Sequence, residues 1–141
     1  MKVLIVEDEV LLAMELESEL EDAGHQVIGH AMSSRDAMSI LAGSRPDFAF
    51  VDIHLQDGPT GIEVGSHLAA IGVPYVFMSG NIKRIPGDFA GAWGAIEKPY
   101  SAAGFRNALQ YLVGRLNGTS DEVNTPPGLK LPDTVARVLE A

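Results

Sequence analysis

The amino-acid sequence predicts an α/β fold, in which a doubly wound sheet of five parallel strands carries helices on both faces. Apolar runs of strand length alternate along the chain with segments of helical periodicity, as expected for repeated β-α units. Chemically reactive side chains follow four of these runs, at the edge where an open parallel sheet binds its ligands. The 141 residues, 46% of them hydrophobic, correspond to one domain with a substantial core.

Five short apolar runs predict the strands. They are rich in Val, Ile, Leu and aromatic residues, and turn-forming or charged residues bound them. The predicted strands are residues 2–6, 26–30, 47–51, 75–78 and 92–96. Because each strand opens a β-α unit, we expect the five strands to lie parallel in one sheet.

The segments between these strands predict helices with recognisable ends. Apolar residues recur at helical spacing across residues 12–23, and Gly24 is suited to end this first helix. Ser33 or Ser34 can cap a second helix through a side-chain oxygen. Residues 60–63 have the Thr-x-x-Glu pattern of a capping box, so a third helix is predicted to begin there.

The helical signal is weakest between the fourth and fifth strands. Pro86 and Gly87 would interrupt a helix across residues 81–90, at a cost of roughly 3 and 1 kcal/mol in a helix interior. We therefore expect at most a short, irregular fourth helix there. A fifth helix, capped by Ser101, is predicted to continue to about Leu116.

Composition and charge exclude several classes of function. A formal net charge of −9 opposes binding to a phosphate backbone, so no nucleic-acid partner is expected. The chain has no cysteine, which excludes disulfides, thiol catalysis and cysteine-ligated zinc. The acidic residues 7–9 interrupt the N-terminal apolar run, and no stretch reaches the ~18–20 apolar residues of a membrane span. Neither a signal peptide nor a membrane contact is expected, and the predicted location is the cytoplasm.

The reactive groups at the strand ends indicate phosphoryl chemistry. Glu7 and Asp8 follow the first strand, Asp52 follows the third, Ser79 the fourth and Lys98 the fifth. Taken alone, an aspartate at a strand end is commonly a helix cap or turn residue. Together, the carboxylates, the hydroxyl and the ammonium suit a divalent cation and a phosphoryl group, with the Asp52 carboxylate as the nucleophile.

The acidic groups also predict a site for a hard divalent cation. Glu7, Asp8 and Asp52 would repel one another, so one of them would tend to hold a proton and Asp52 would be a poorer nucleophile. Mg²⁺ or Mn²⁺ would remove this penalty, since Mg²⁺ prefers oxygen ligands at about 2.0–2.1 Å and binds one or two carboxylates together with a phosphate oxygen. His25, His30 and His67 lack the spacing of metal ligands and are interpreted as packing or surface residues.

The order and spacing of these residues resemble the receiver domain of two-component response regulators. The resemblance covers residues 1–116 and implies a flavodoxin-like sheet with the strand order 2-1-3-4-5. It also implies a role for each residue at the strand ends, and a cis peptide bond between a lysine and a proline. By that resemblance Asp52 is the phospho-acceptor, Glu7 and Asp8 hold Mg²⁺ with Asp52, the backbone carbonyl of His54 completes the metal shell, Ser79 is the conserved hydroxyl and Lys98, before Pro99, is the conserved lysine.

Residues 74–81 resemble the signature Pro-Phe-x-Phe-Ala-Thr-Gly-Tyr of a subfamily of stand-alone receivers. Phe77 and Gly80 match that signature. Four positions depart from it, namely Tyr75, Met78, Ser79 and Asn81. Many receivers also carry an aromatic residue three positions before the lysine, where this chain has Ala95. An aromatic gate cannot operate there, so we expect signalling to depend on rearrangement of the loop at residues 79–92 or on another side chain.

Domain organisation is predicted from a change in composition after the fifth helix. By the resemblance, residues 1–117 are expected to form the receiver, and residues 118–141 are expected to form a Pro- and Gly-containing linker with a short amphipathic segment at 133–140. The apolar side chains of this C-terminal segment are expected to pack on their own domain or on the second copy in a homodimer; docking on a partner protein and simple disorder are the alternatives. The segment is too short for an output domain, which suggests a stand-alone receiver.

The predicted function is that of a phosphorylation switch. A sensor histidine kinase or phosphotransfer protein would phosphorylate Asp52, and the product would change contacts with an unidentified output protein or drain phosphate from a shared kinase. One alternative is an aspartyl-nucleophile phosphatase of the haloacid dehalogenase type, which would need a second Asp where His54 stands. The other is a phosphorylation-independent pseudo-receiver, and the intact Asp52, Ser79 and Lys98 argue against it.

Overall fold

A six-stranded sheet forms the centre of the part of the chain that the computed structural model describes, residues 1–80, 85, 87–119 and 125–132. Its strands, in chain order, are β1 (Lys2–Val6), β2 (Gln26–Ala31), β3 (Phe48–Asp52), β4 (Tyr75–Ser79), β5 (Gly94–Glu97) and β6 (Leu129–Lys130). The spatial order is β2-β1-β3-β4-β5-β6, and the first five of these strands run parallel. The predicted parallel sheet with order 2-1-3-4-5 is therefore confirmed.

The sixth strand was not predicted. Leu129 and Lys130 pair antiparallel with Ile96 and Ala95 of β5, in a segment for which the sequence predicts no strand. A two-residue strand is too short to show an alternating pattern, so the sequence carries no signal for it. Part of the C-terminal segment thus packs on its own domain, while the predicted amphipathic segment at 133–140 lies outside the described residues.

Four α-helices connect the strands in the described part of the chain. They are α1 (Val10–Asp22), α2 (Ser34–Gly43), α3 (Gly61–Ala70) and α4 (Ala102–Leu116). The serine caps are confirmed, since Ser33 Oγ accepts from the Asp36 amide at 3.1 Å and Ser101 Oγ accepts from the Gly104 amide at 2.9 Å. Gly24 follows α1 with φ of 89°, a conformation that glycine adopts without steric cost.

Helix α3 begins where it was predicted, but the predicted capping bond from the Thr60 side chain does not form. Thr60 has nearly helical dihedral angles, and its side chain makes no capping bond to the helix. Instead the Thr60 hydroxyl donates to the Asp57 carboxylate at 2.6 Å. Asp57 also accepts from the Ser34 hydroxyl and from the Ser34 amide at the start of α2. These hydrogen bonds, those from Ser34 first, hold the pKa of Asp57 well below its usual range.

The connection between β4 and β5 contains little regular structure among its described residues. A single 3-10 turn covers Phe89–Gly91, while residues 81–84 and 86 lie outside the described residues. Phe89 and Ala90 have positive φ angles of 53° and 50°, which non-glycine residues rarely adopt. The buried Tyr75 hydroxyl donates to the Ala90 carbonyl at 2.6 Å and ties this turn to β4. Helix α4 follows β5 and corresponds to the helix that the sequence predicts as the fifth.

The core lies on both faces of the sheet, because successive side chains of a strand point to opposite faces. One cluster contains Leu4 and Val6 of β1 with residues of α2 and α3. The other contains Val3 and Ile5 of β1 with residues of α1 and α4. The sheet is therefore doubly wound, as predicted. None of the helices in the described ranges combines the length and the apolar character needed to cross a bilayer.

Candidate functional site

The carboxyl ends of four strands bring the predicted reactive residues to one edge of the sheet. Glu7 directly follows β1, Asp52 ends β3, Ser79 ends β4 and Lys98 directly follows β5. The Lys98 amide donates to the Ser79 carbonyl at 2.8 Å, so the ends of β4 and β5 are joined at the site. This placement follows from the parallel sheet, whose carboxyl ends line one crevice.

The Lys98 ammonium lies between two carboxylates. Its Nζ is 2.9 Å from Asp52 Oδ2, and 3.0 and 3.2 Å from the two carboxylate oxygens of Glu7. The Glu7 side chain is 2% exposed and that of Asp52 is 11% exposed, so these charge-assisted bonds form largely away from water. Burial disfavours the charged lysine, but the hydrogen bonds to Asp52 and Glu7 outweigh it and raise the Lys98 pKa above its ordinary value.

Three carboxylates meet in the arrangement expected of a cation site. Glu7, Asp8 and Asp52 each offer an oxygen, and these oxygens lie within 4.8 Å of one another. Burial, reinforced by a hydrogen bond with Asp52, raises the pKa of Glu7 to about 8 despite the nearby Lys98. Hard oxygen ligands and a buried carboxyl group that gains from added positive charge both fit Mg²⁺ or Mn²⁺.

The backbone around Asp52 is closely packed. The Gly61 amide, at the start of α3, donates to the Ile53 carbonyl at 2.9 Å. A Cβ atom at Gly61 would lie 1.9 Å from the Asp52 carbonyl oxygen, so only glycine allows the helix to begin this close to the strand end. Lys98 and Pro99 are joined by a cis peptide bond, as the resemblance to receiver domains implies.

The other residues that the sequence singles out, Ser79, His54 and Ala95, differ in burial and in position relative to Asp52. Ser79 is buried at the end of β4, on the same edge of the sheet as Asp52. His54 is exposed in the loop after β3, and the ligand role of its carbonyl stays a prediction. Ala95 is buried in β5 opposite Phe77, so this position holds no side chain that could swing toward the site.

One residue at this edge was not predicted to take part. His30 Nε2 lies 2.8 Å from the backbone carbonyl oxygen of Glu7. From the sequence, His30 is interpreted as a packing or surface residue, because a single histidine without ligand spacing carries no signal. Only the pairing of β1 with β2 brings this side chain to the acidic loop.

Comparison with known proteins agrees with this arrangement. Residues 3–110 match the family described as response regulator receiver domain. The chain is 37% identical over 105 residues to the phyllosphere-induced regulator PhyR of Methylorubrum extorquens, a match that covers 72% of this chain and 39% of that protein. It is 30% identical over 118 residues to the transcriptional regulatory protein PdtaR of Mycobacterium tuberculosis, covering 81% of this chain and 57% of that protein.

Solved structures show the same fold. The receiver domain of the PhyR response regulator from Erythrobacter litoralis superposes with a TM-score of 0.71 at 27% identity, over 89% of this chain and 93% of that one. The chain spans less than two thirds of each of the two curated relatives, so the similarity concerns only part of each of those proteins. The family match, the sheet order and the polar groups at the strand ends agree, and the chain belongs to the response regulator receiver domain family.

Proposed function

We propose that this domain accepts a phosphoryl group on Asp52 from a sensor histidine kinase or a phosphotransfer protein, and that phosphorylation switches its contacts with an output protein. The observation that carries the proposal is the position of Lys98 Nζ, within 3.0 Å of both Glu7 and Asp52. The Lys98 ammonium, held between the Asp52 and Glu7 carboxylates, is suited to stabilise negative charge that moves onto a transferred phosphoryl group.

The positions of the side chains support the following chemical step. An Asp52 carboxylate oxygen attacks the donor phosphorus in line, the bond from phosphorus to the donor imidazole nitrogen breaks, and its electron pair stays on that nitrogen. Lys98 and the Ser79 hydroxyl stabilise the phosphoryl oxygens. A divalent cation held by Glu7, Asp8, Asp52 and the His54 carbonyl would neutralise further charge on those oxygens. Water later hydrolyses the acyl phosphate and restores the Asp52 carboxylate.

The surface beside the acidic loop suits a protein as the phosphoryl donor. Val10, Leu11 and Met14 on α1 are 51%, 75% and 59% exposed, and they follow Glu7 and Asp8 in the chain. Exposed apolar side chains next to a reactive centre favour contact with a protein partner. We propose that the donor protein covers this surface during transfer.

The switch must act through a route other than an aromatic gate at Ala95. Phosphorylation of Asp52 removes one carboxylate partner of Lys98. It also adds negative charge at the ends of β3 and β4. Ser79 begins the connection that leads through the strained turn at Phe89–Gly91 to β5. We propose that this connection, together with β5, changes position and alters contacts with the output protein.

Acetyl phosphate provides a direct test of the proposed chemistry. Incubation with this donor and Mg²⁺ should add the mass of one phosphoryl group, and excess chelator or Asp8→Asn should suppress the addition. A chain that never gains this mass from acetyl phosphate or a phosphorylated kinase would act as a pseudo-receiver. Continuous release of phosphate from many phosphate esters, without a switch in partner contacts, would instead indicate a phosphatase.

A further inference from the structure

A hydrogen bond from β2 holds the backbone of the acidic loop. His30 Nε2 lies 2.8 Å from the carbonyl oxygen of Glu7, and the Glu7 amide donates to the Ala31 carbonyl at 2.9 Å. Because a carbonyl oxygen only accepts hydrogen bonds, the His30 Nε2 atom must carry the proton. Both peptide groups that flank the Glu7 Cα are therefore bonded to β2.

These two bonds act where the ladder between β1 and β2 ends. The last paired residues are Val6 and Ala31, and β1 does not continue through Glu7. The carbonyl of Glu7 belongs to the planar peptide that joins Glu7 to Asp8, so a bond to this oxygen also orients the Asp8 amide and Cα. Glu7 and Asp8 are two of the three carboxylates whose oxygens lie within 4.8 Å of one another.

We infer that His30 is a positioning residue for cation binding, because its Nε2 hydrogen bond sets the peptide between Glu7 and Asp8 so that both carboxylates reach the site. This inference deepens the proposed function and rests on its acidic cation site. Partners that orient metal ligands commonly change metal affinity by about 10–100-fold when they are removed. Half-buried in the edge strand β2, His30 contributes through this bond rather than by ligation.

The test compares divalent-cation affinity across a small set of full-length variants. Mn²⁺ binding is measured by electron paramagnetic resonance and Mg²⁺ by competition, and thermal unfolding is recorded for each variant without metal. His30→Leu keeps the size of the side chain and loses the donor, so we expect about tenfold weaker binding. His30→Gln restores a donor near the Nε2 position and should recover most of that loss. The exposed His67→Leu should stay within about twofold of the parent chain.

Asp8→Asn separates failure of this inference from failure of the cation site. If Asp8→Asn weakens binding and His30→Leu does not, the positioning role is overturned and the cation site stands. If Asp8→Asn leaves affinity unchanged, the cation site is wrong and the inference falls with it. Loss of affinity in His30→Leu that His30→Gln does not restore would also overturn the role of the donor.

A measurement on the parent chain decides the case in which His30→Leu fails to fold. Nitrogen-15 spectra of the imidazole should show a proton on Nε2 of His30, with a hydrogen-bond coupling or a slowed exchange that reports the bond to Glu7. A neutral His30 with its proton on Nδ1 would overturn the inference without any substitution.

Discussion

Gly61 begins α3 directly against the backbone of Asp52, and a Cβ atom at position 61 would lie 1.9 Å from the Asp52 carbonyl oxygen. The same atom would lie 2.6 Å from the Ile53 Cα, so both neighbours are backbone atoms that cannot rotate away. The close contact places the start of the helix at the strand end that carries the proposed phospho-acceptor. The absence of a side chain at Gly61 is thus a structural requirement of the site.

Gly61→Ala should therefore damage both the fold and the site. Forcing a methyl group against the backbone is expected to lower the free energy of unfolding by about 3 kcal/mol, and the displaced Asp52 should accept phosphate at least about tenfold more slowly. Urea denaturation and phosphotransfer assays measure the two effects. Gly43→Ala is the matched control, since nothing lies within 4 Å of a Cβ there. Equal behaviour of the two variants would contradict the proposed contact.

Glu7 should make stability depend on pH when no divalent cation is bound. The unfolded chain releases the Glu7 proton near the ordinary pKa of 4.5, whereas the folded chain holds it up to a pKa of about 8. The contribution of Glu7 to the free energy of unfolding is complete below the unfolded-state pKa of 4.5. It is lost as the pH rises through the folded-state pKa of about 8. Urea titrations in chelator should show this decline, and Glu7→Gln should flatten it. Parallel pH profiles for the two chains would rule out the raised pKa.

Added Mg²⁺ should act in the opposite direction to this decline. Its stabilising effect is expected to grow toward alkaline pH, because the proton on Glu7 then competes less with the cation. The same urea titrations with and without Mg²⁺ provide the comparison. A stabilisation by Mg²⁺ that is largest at acidic pH would contradict binding at Glu7.

The Tyr75 hydroxyl should determine the stability of the turn at Phe89–Gly91. It donates to the Ala90 carbonyl at 2.6 Å, within a turn whose Phe89 and Ala90 both have positive φ angles. Tyr75→Phe keeps the ring that packs over Gly65 but leaves this carbonyl without that donor, at an expected cost of about 1–2 kcal/mol. Hydrogen exchange should become faster at residues 89–91. Unchanged exchange there would show that the turn does not depend on the hydroxyl.

The C-terminal strand should contribute to stability more than to chemistry. Leu129 is 3% exposed and packs into the core cluster on the α1 and α4 face of the sheet. Leu129→Ala is expected to cost about 2–4 kcal/mol, whereas Lys130→Ala, at the exposed neighbouring position, should cost little.

Truncation after Asn117 should leave phosphotransfer within a few-fold of the full chain, provided that the truncated chain is folded. Loss of transfer in a folded truncated chain would place the tail in the site itself.

The placement of the candidate site residues could be predicted because it depends on strand ends. Glu7, Asp52, Ser79 and Lys98 each end or follow an apolar run that is easily recognised, and a parallel sheet brings such positions together. The spatial contacts of Lys98 with Glu7 and Asp52 follow from that topology. Serine caps were predicted equally well, because Ser33 and Ser101 bond to amides only three residues away.

Features that depend on contacts between distant segments could not be predicted. Thr60 has a local capping pattern, but its hydroxyl bonds to Asp57, whose carboxylate is held by the distant Ser34 at the start of α2. The pairing of Leu129 with β5 and the bond from His30 to Glu7 join residues far apart in the sequence. No periodicity or spacing in the chain reports such contacts, since they arise only when the sheet has formed.

Phosphotransfer to Asp52 is the most direct test of the proposed function. Purified histidine kinases or phosphotransfer proteins labelled on histidine are mixed with the chain and Mg²⁺, and transfer is followed over time. The parent chain and the matched control Asp47→Asn should accept the label at similar rates. Asp52→Asn should remain folded and accept none, because its amide keeps the shape of the side chain and is not a nucleophile. Transfer to Asp52→Asn at the parent rate would contradict the central claim.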